Sequence, residues 1–204
     1  DFSLMPFIED DHFHEECGVF GIFDCVDAAA HVALGLHALQ HRGQEAAGIV
    51  SCDNEQFHQH MALGKVGDNF NSKEVINSLS GRSAIGHNRY STSGKNNHTN
   101  IQPLFAEMGF GSIALAHNGN LTNARKLRAE LVKSGSIFRT TMDTEVIIHL
   151  VATSKKTRVI DCLIDTLKKL EGAYSMVVLT KDCLFGARDP LGVRPLILGQ
   201  LGES

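Results

Sequence analysis

A chain of 204 residues, 43% hydrophobic and 21% charged, is long enough for one domain with a substantial core. Its net charge of −4, with scattered signs and no basic tract, argues against a nucleic-acid partner. No apolar run approaches the roughly 20 residues of a membrane span, and no Lys or Arg precedes Arg42, which argues against a signal peptide or an arginine-rich transit peptide.

Residues 1–16 form an acidic opening with Glu9, Asp10, Asp11, Glu15 and Glu16, expected to be an extended, weakly ordered leader. Composition leaves two readings of it open, a loose terminus and a removable propeptide. Strand-like runs follow at 17–23, 46–52, 83–88, 112–117, 173–180 and 183–187, short and bounded by polar residues or glycine. Lys181-Asp182 between the last two predicts a hairpin turn. Helical patterns lie at about 29–40, 122–134, 143–153 and 158–170. The last sets Val159, Ile160, Leu163, Ile164, Leu167 and Leu170 on one stripe expected to face a core. Thr122 or Asn123 can cap the second and Gly135 can end it. Asp143 opens the third, where a carboxylate meets the positive helix end. Paired strands and grouped helices predict an α+β fold rather than a regular βαβ wind.

The five cysteines (Cys17, Cys25, Cys52, Cys162 and Cys183) are odd in number and form no CxxC pair. They predict reduced thiols and a cytoplasmic location. His12 with His14, and His58 with His60, would share a face of an extended strand, a spacing that suits zinc. Both pairs lie outside the polar motifs, and no metal site is assigned. The chain opens at Asp1 without methionine and stops at Ser204, which predicts a piece of a longer protein.

Five segments carry the chemistry. They are Cys17 followed by Gly-Val-Phe-Gly-Ile-Phe, His41-Arg42-Gly43-Gln44-Glu45, Gly86-His87-Asn88-Arg89-Tyr90, Ala116-His117-Asn118-Gly119-Asn120 and Asp143-Thr144-Glu145. Each polar segment borders an apolar run, as when loops on a rigid scaffold carry a binding site. A thiol of ordinary pKa, about 8.5, needs a nearby base, and the α-amine of an N-terminal residue can serve. Asn118-Gly119 offers amide donors for an oxyanion, although the dipeptide alone favours a tight hairpin turn.

In this order the segments resemble the glutaminase domain of the amidophosphoribosyltransferase family, from Cys17 to about residue 199. The resemblance implies the N-terminal-nucleophile hydrolase fold, a four-layer αββα sandwich of two antiparallel sheets. It implies a propeptide or leader at 1–16, a class II glutamine amidotransferase domain at 17–204, and a phosphoribosyltransferase domain outside this sequence. It makes Cys17 the nucleophile once the Glu16–Cys17 bond is cut, and the uncut chain an inactive precursor. Asn118 and Gly119 are implied to stabilise the oxyanion. Arg89 and Thr92 are implied to bind the α-carboxylate of glutamine, Asp143 its α-ammonium, and Arg42 to support the site. The Arg188–Leu196 segment is typical of this family and is expected near the first strand.

Glutamine is the implied partner. PRPP, magnesium and, in some members, an iron–sulfur cluster belong with the region outside the sequence. The resemblance also implies a homo-oligomer at full length. Another class II amidotransferase, such as a glutamate synthase or asparagine synthetase domain, and a non-catalytic scaffold remain as alternatives. The Gln44-Glu45 pair differs from the Tyr-Asp usual in hexosamine-forming relatives.

Overall fold

The computed structural model describes residues 17–54, 56–90 and 98–202. The expected leader at 1–16, His12, His14 and Thr92 lie outside the described residues.

Among the described residues, eight strands form two four-stranded antiparallel sheets. The first holds β1 (Gly18–Ile22), β2 (Ala46–Asp53), β3 (Gln56–Leu63) and β4 (Ser83–Arg89), in the order β1-β4-β2-β3. The second holds β5 (Leu104–Met108), β6 (Gly111–Leu121), β7 (Gly172–Leu179) and β8 (Leu184–Arg188), in sequence order. Helix α1 (Ala28–Ala38) covers the outer face of the first sheet, flanked by the short helices α2 (Val66–Asn69) and α3 (Lys73–Ser78). Helices α4 (Ala124–Lys133), α5 (Asp143–Ala152) and α6 (Val159–Leu167) cover the second. The layers therefore run helix, sheet, sheet, helix, as the resemblance implies.

Each layer boundary has its own apolar core. Ala28, Val32 and Leu36 of α1, spaced by four, pack on Ala47 and Ile49 of β2. Gly86 of β4 admits the helix closely, since a Cβ there would press on Val32 and Leu36 at 2.6 and 2.7 Å. Between the sheets, Val50, Cys52 and Ile85 meet Ala114, Ala116, Val177 and Leu179. On the far side, Ile113, Leu115, Met176 and Val178 pack under α5, whose Val146, Ile147 and Val151 are fully buried. The twofold alternation of strand side chains thus sends Ala114 and Ala116 inward and Leu115 toward the helices.

The expected turn at Lys181-Asp182 joins β7 to β8, closed by the Thr180 N–H on the Cys183 carbonyl at 2.9 Å. Gly135, at φ 97°, follows α4, and the next N–H, that of Ser136, returns to Leu131 at 2.9 Å. Two expectations are corrected. Asn123 occupies the N-cap of α4, but its side chain bonds Lys169 and Glu171 instead of the helix. In α6 the buried face runs through Cys162, Leu163 and Thr166, leaving Ile160 and Ile164 exposed at 38% and 43%. Cys162 and Thr166 take the core-facing arc, which leaves the isoleucines on the outer side of the helix. The contacts of the Arg188–Leu196 segment tie it to β7 and β8: the buried Asp189 carboxylate accepts from the N–H groups of Tyr174, Val193 and Arg194 at 3.4, 3.0 and 3.0 Å.

Candidate active site

Cys17 sits at the mouth of β1, half-buried, with φ 71°. That left-handed backbone is uncommon for a residue with a side chain and marks a conformation held by its surroundings. Arg42 holds it. The Cys17 N–H donates to the Arg42 carbonyl at 2.7 Å, and Arg42 Nε donates to the Cys17 carbonyl at 2.8 Å. Arg42 closes the 3-10 turn Gln40–Arg42 that follows α1, and Gly43 lets this loop lie flat on β4. A Cβ on Gly43 would stand 2.7 Å from the Arg89 carbonyl carbon.

The sulfur meets the end of β4. Tyr90 N–H points at Cys17 Sγ at 3.4 Å, and Sγ lies 3.7 Å from the Tyr90 carbonyl. Tyr90 is a contact the sequence reading missed. Backbone groups carry it, so no side-chain signal marks it. Asn88, two residues earlier, donates from Nδ2 to Leu39 at 2.7 Å and holds the end of α1 beneath the site. Its Oδ1 occupies the space a Gly18 side chain would need, at 2.5 Å.

Asn118 comes from the other sheet. Asn118-Gly119 is no hairpin turn: both residues lie inside β6, opposite Ser175 and Tyr174 of β7. Alternation places Asn118 on the same face as Ala114 and Ala116, toward the first sheet. Its Nδ2 donates to the Cys17 carbonyl at 3.2 Å. Gly119 has φ 129°, and a Cβ there would strike the Ala173 carbonyl oxygen, so this bend of β6 suits glycine.

Arg89 ends β4 beside Tyr90, half-buried, with Nη1 3.4 Å from the Asn100 carbonyl. Asn100 Nδ2 reaches Thr141 Oγ1 at 3.4 Å, two positions before Asp143. Asp143 is the first residue of α5, and its Oδ2 accepts the Leu121 N–H at 2.9 Å at the end of β6. Glu145, one position beyond Thr144, is buried and fixes the preceding loop. Its carboxylate accepts from the Arg139 and Thr140 N–H groups at 2.8 and 2.7 Å and from Thr140 Oγ1 at 2.8 Å. Cys17, Arg42, Asn118 and Tyr90 are thus in direct contact. Arg89 at the end of β4, Gly119 within β6 and Asp143 at the start of α5 lie on the adjoining elements.

Two buried histidines lie behind this surface. Burial pushes the His87 pKa down to about 3, helped by the nearby His117 and Arg89. Burial pushes His117 down to about 4, helped by Arg194. Both are neutral imidazoles at neutral pH. His117 Nδ1 lies 3.5 Å from Thr144 Oγ1. Among the described residues no group of three or more His, Cys, Asp or Glu side chains is placed to hold a metal ion. His60 instead stands edge-on to Phe70, with ring centroids 5.3 Å apart. Among the described residues the five cysteines form no disulfide. Among the described residues no helix is long and apolar enough to cross a membrane.

Residues 87–204 match the family model described as a glutamine amidotransferase domain. The chain belongs to that family. It is 52% identical over 194 residues to an amidophosphoribosyltransferase of Rhizobium etli, covering 95% of this chain and 39% of that protein. It is 44% identical over 192 residues to the Bacillus subtilis amidophosphoribosyltransferase, covering 94% of this chain and 40% of the relative. The solved structure of the B. subtilis glutamine phosphoribosylpyrophosphate amidotransferase complexed with ADP and GMP superimposes with a TM-score of 0.85 at 42% identity, over 91% of this chain and 40% of that one. The two stacked antiparallel sheets are therefore those of the N-terminal-nucleophile hydrolase fold, and the chain spans about two fifths of the length of these relatives.

Proposed function

We propose that this chain is the glutaminase part of an amidophosphoribosyltransferase, with Cys17 as its nucleophile. The observation that carries the reading is the convergence on Cys17 of Arg42, Tyr90 and Asn118 from three separate segments and both sheets. The likeness to amidophosphoribosyltransferases over 95% of the chain supports the choice within the family.

In this reading the Glu16–Cys17 bond is cut first, freeing an α-amine of pKa about 8 as the general base. The Arg42 carbonyl, already an acceptor for the Cys17 nitrogen, orients that amine. Glutamine binds with its α-carboxylate on Arg89 and Thr92 and its α-ammonium on Asp143. The amine takes the thiol proton, and the thiolate attacks the side-chain carbonyl carbon. Asn118 Nδ2 and the Gly119 N–H stabilise the oxyanion. The tetrahedral intermediate collapses, breaking the C–N bond as the amine returns its proton to departing ammonia. Water then hydrolyses the γ-glutamyl thioester to glutamate and regenerates the thiol.

In the longer protein the ammonia displaces pyrophosphate from PRPP to give phosphoribosylamine, the committing step of purine synthesis. That half of the glycosyl transfer, with its magnesium and the iron–sulfur cluster of some relatives, is assigned to a phosphoribosyltransferase region beyond these residues. The full protein is a cytoplasmic homo-oligomer.

The test compares glutamine hydrolysis by protein processed to begin at Cys17, by the same protein carrying Cys17→Ala, and by the unprocessed chain. Activity is expected in the first alone. Equal activity in the processed protein and Cys17→Ala would remove the assignment, and full activity in the unprocessed chain would remove the amine from the mechanism.

A further inference from the structure

The proposed nucleophile belongs to one sheet and the proposed oxyanion segment to the other, so their spacing depends on how the sheets are braced. Gln102 lies between them. The pairing of β5 with β6 sets Leu104 opposite Leu115, so continuing the register puts residue 102 opposite His117. The backbone does not continue. It bends toward the first sheet, where the Gln102 carbonyl comes so close to Gly48 of β2 that a Cβ at Gly48 would strike it.

The side chain takes the missing strand's place. Gln102 Oε1 accepts the His117 N–H at 2.7 Å, and Nε2 donates to the His117 carbonyl at 3.1 Å. A primary amide can do this because it presents the same donor and acceptor as a peptide group. Gln102 is 7% exposed, so neither bond faces much competition from water. Its main chain is thus seated on the first sheet and its side chain on the second, one residue before Asn118.

We propose that Gln102 is a positioning residue that sets the distance between the Cys17 side of the site and the Asn118-Gly119 segment. The proposal rests on the reading of Cys17 as nucleophile and Asn118 as oxyanion donor. Without Gln102, the His117 backbone loses both partners on the β5 side. The strand can then shift by the few tenths of an ångström that oxyanion geometry does not tolerate. The Gln102 side chain spends its amide on the His117 backbone, so it acts on turnover rather than on thiol reactivity.

The test uses the full chain processed to begin at Cys17. Gln102→Met keeps the length of the side chain and removes both hydrogen bonds. Its kcat for glutamine hydrolysis is expected to fall roughly tenfold to a hundredfold, up to the worth of one misplaced oxyanion donor. KM stays within about threefold, as for an interaction made in the transition state. Alkylation of Cys17 by iodoacetamide, which builds no oxyanion, keeps its wild-type rate, and the His117 amide exchanges faster with deuterium. Gln102→Glu retains the acceptor for the His117 N–H and is expected to fall between; it carries the same comparison if Gln102→Met does not fold. Wild-type kcat in the folded variant, or an equal fall in kcat and alkylation rate, overturns this proposal alone. Full activity in Cys17→Ala overturns the reading of the site and the proposal with it.

Discussion

Arg42 grips Cys17 at both ends of its backbone: its carbonyl takes the Cys17 N–H at 2.7 Å, and its Nε reaches the Cys17 carbonyl at 2.8 Å. The sequence supports only a secondary place for Arg42 beside the glutamine site. The geometry gives it control over the left-handed backbone at Cys17, φ 71°. Arg42→Ala keeps the backbone contact and loses the guanidinium. Glutamine turnover is expected to fall by about tenfold or more, the scale of misplacing a reacting group. Arg42→Lys recovers little, because an ammonium lacks the planar fork. Steady-state kinetics with glutamine checks both.

Asp143 has two tasks that substitution can separate. Its carboxylate accepts the Leu121 N–H at 2.9 Å, and it is proposed to hold the ammonium of glutamine. Asp143→Asn keeps an acceptor for Leu121 but loses the charge. KM for glutamine is expected to rise about tenfold or more, with unfolding within about 1 kcal/mol of wild type. Asp143→Ala loses both and costs a further ~1 kcal/mol. Kinetics and denaturant melts, run together, distinguish the roles.

Glu145 has a structural role. Buried at 8% exposure, it gathers three donors from Arg139 and Thr140. Glu145→Ala leaves those groups without their acceptor, and a loss of about 3 kcal/mol in unfolding free energy is expected. Glu145→Gln can accept at one oxygen only and should lose roughly half as much. A urea titration at neutral pH provides the measurement, and an unchanged midpoint in Glu145→Ala would sink the idea.

Acid should destabilise the fold through His87 and His117. Their folded pKa values are depressed, to about 3 and about 4, because burial disfavours the charged form. The unfolded chain takes up those protons near the ordinary histidine value of about 6.5. The stability they contribute is therefore fully present above that value and is lost as pH falls from about 6.5 toward about 4 for His117 and about 3 for His87. His87→Leu removes one of these sites. Its melting temperature is expected to fall less than that of wild type between pH 7 and pH 5, read by circular dichroism in matched buffers.

Some elements were legible because local chemistry decides them. The helical pattern of α1, the place of Asp143 at the start of α5 and the apolar runs of β4, β6 and β7 follow from local sequence. Strands β3 and β5 were not: Gln56–Leu63 mixes histidine and glutamine with its apolar residues, and Leu104–Met108 is five residues long after a proline. Only pairing with a neighbour makes either a strand. The same holds for α6, where Ile160 and Ile164 read as core yet lie exposed, since the sequence does not say which arc of an apolar helix faces the core.

The sequence by itself determined the order of the polar motifs, and through them the family, the α+β class and the residues expected to act. Tertiary structure decided how those residues meet. Cys17 and Asn118, 101 positions apart, touch because the two sheets stack and strand alternation turns the asparagine inward. Tyr90 touches the sulfur through backbone groups that every residue but proline possesses, and Gln102 bonds β6 in place of a strand that bends away. Such contacts depend on distance across the sandwich, a quantity that no local pattern of side chains encodes.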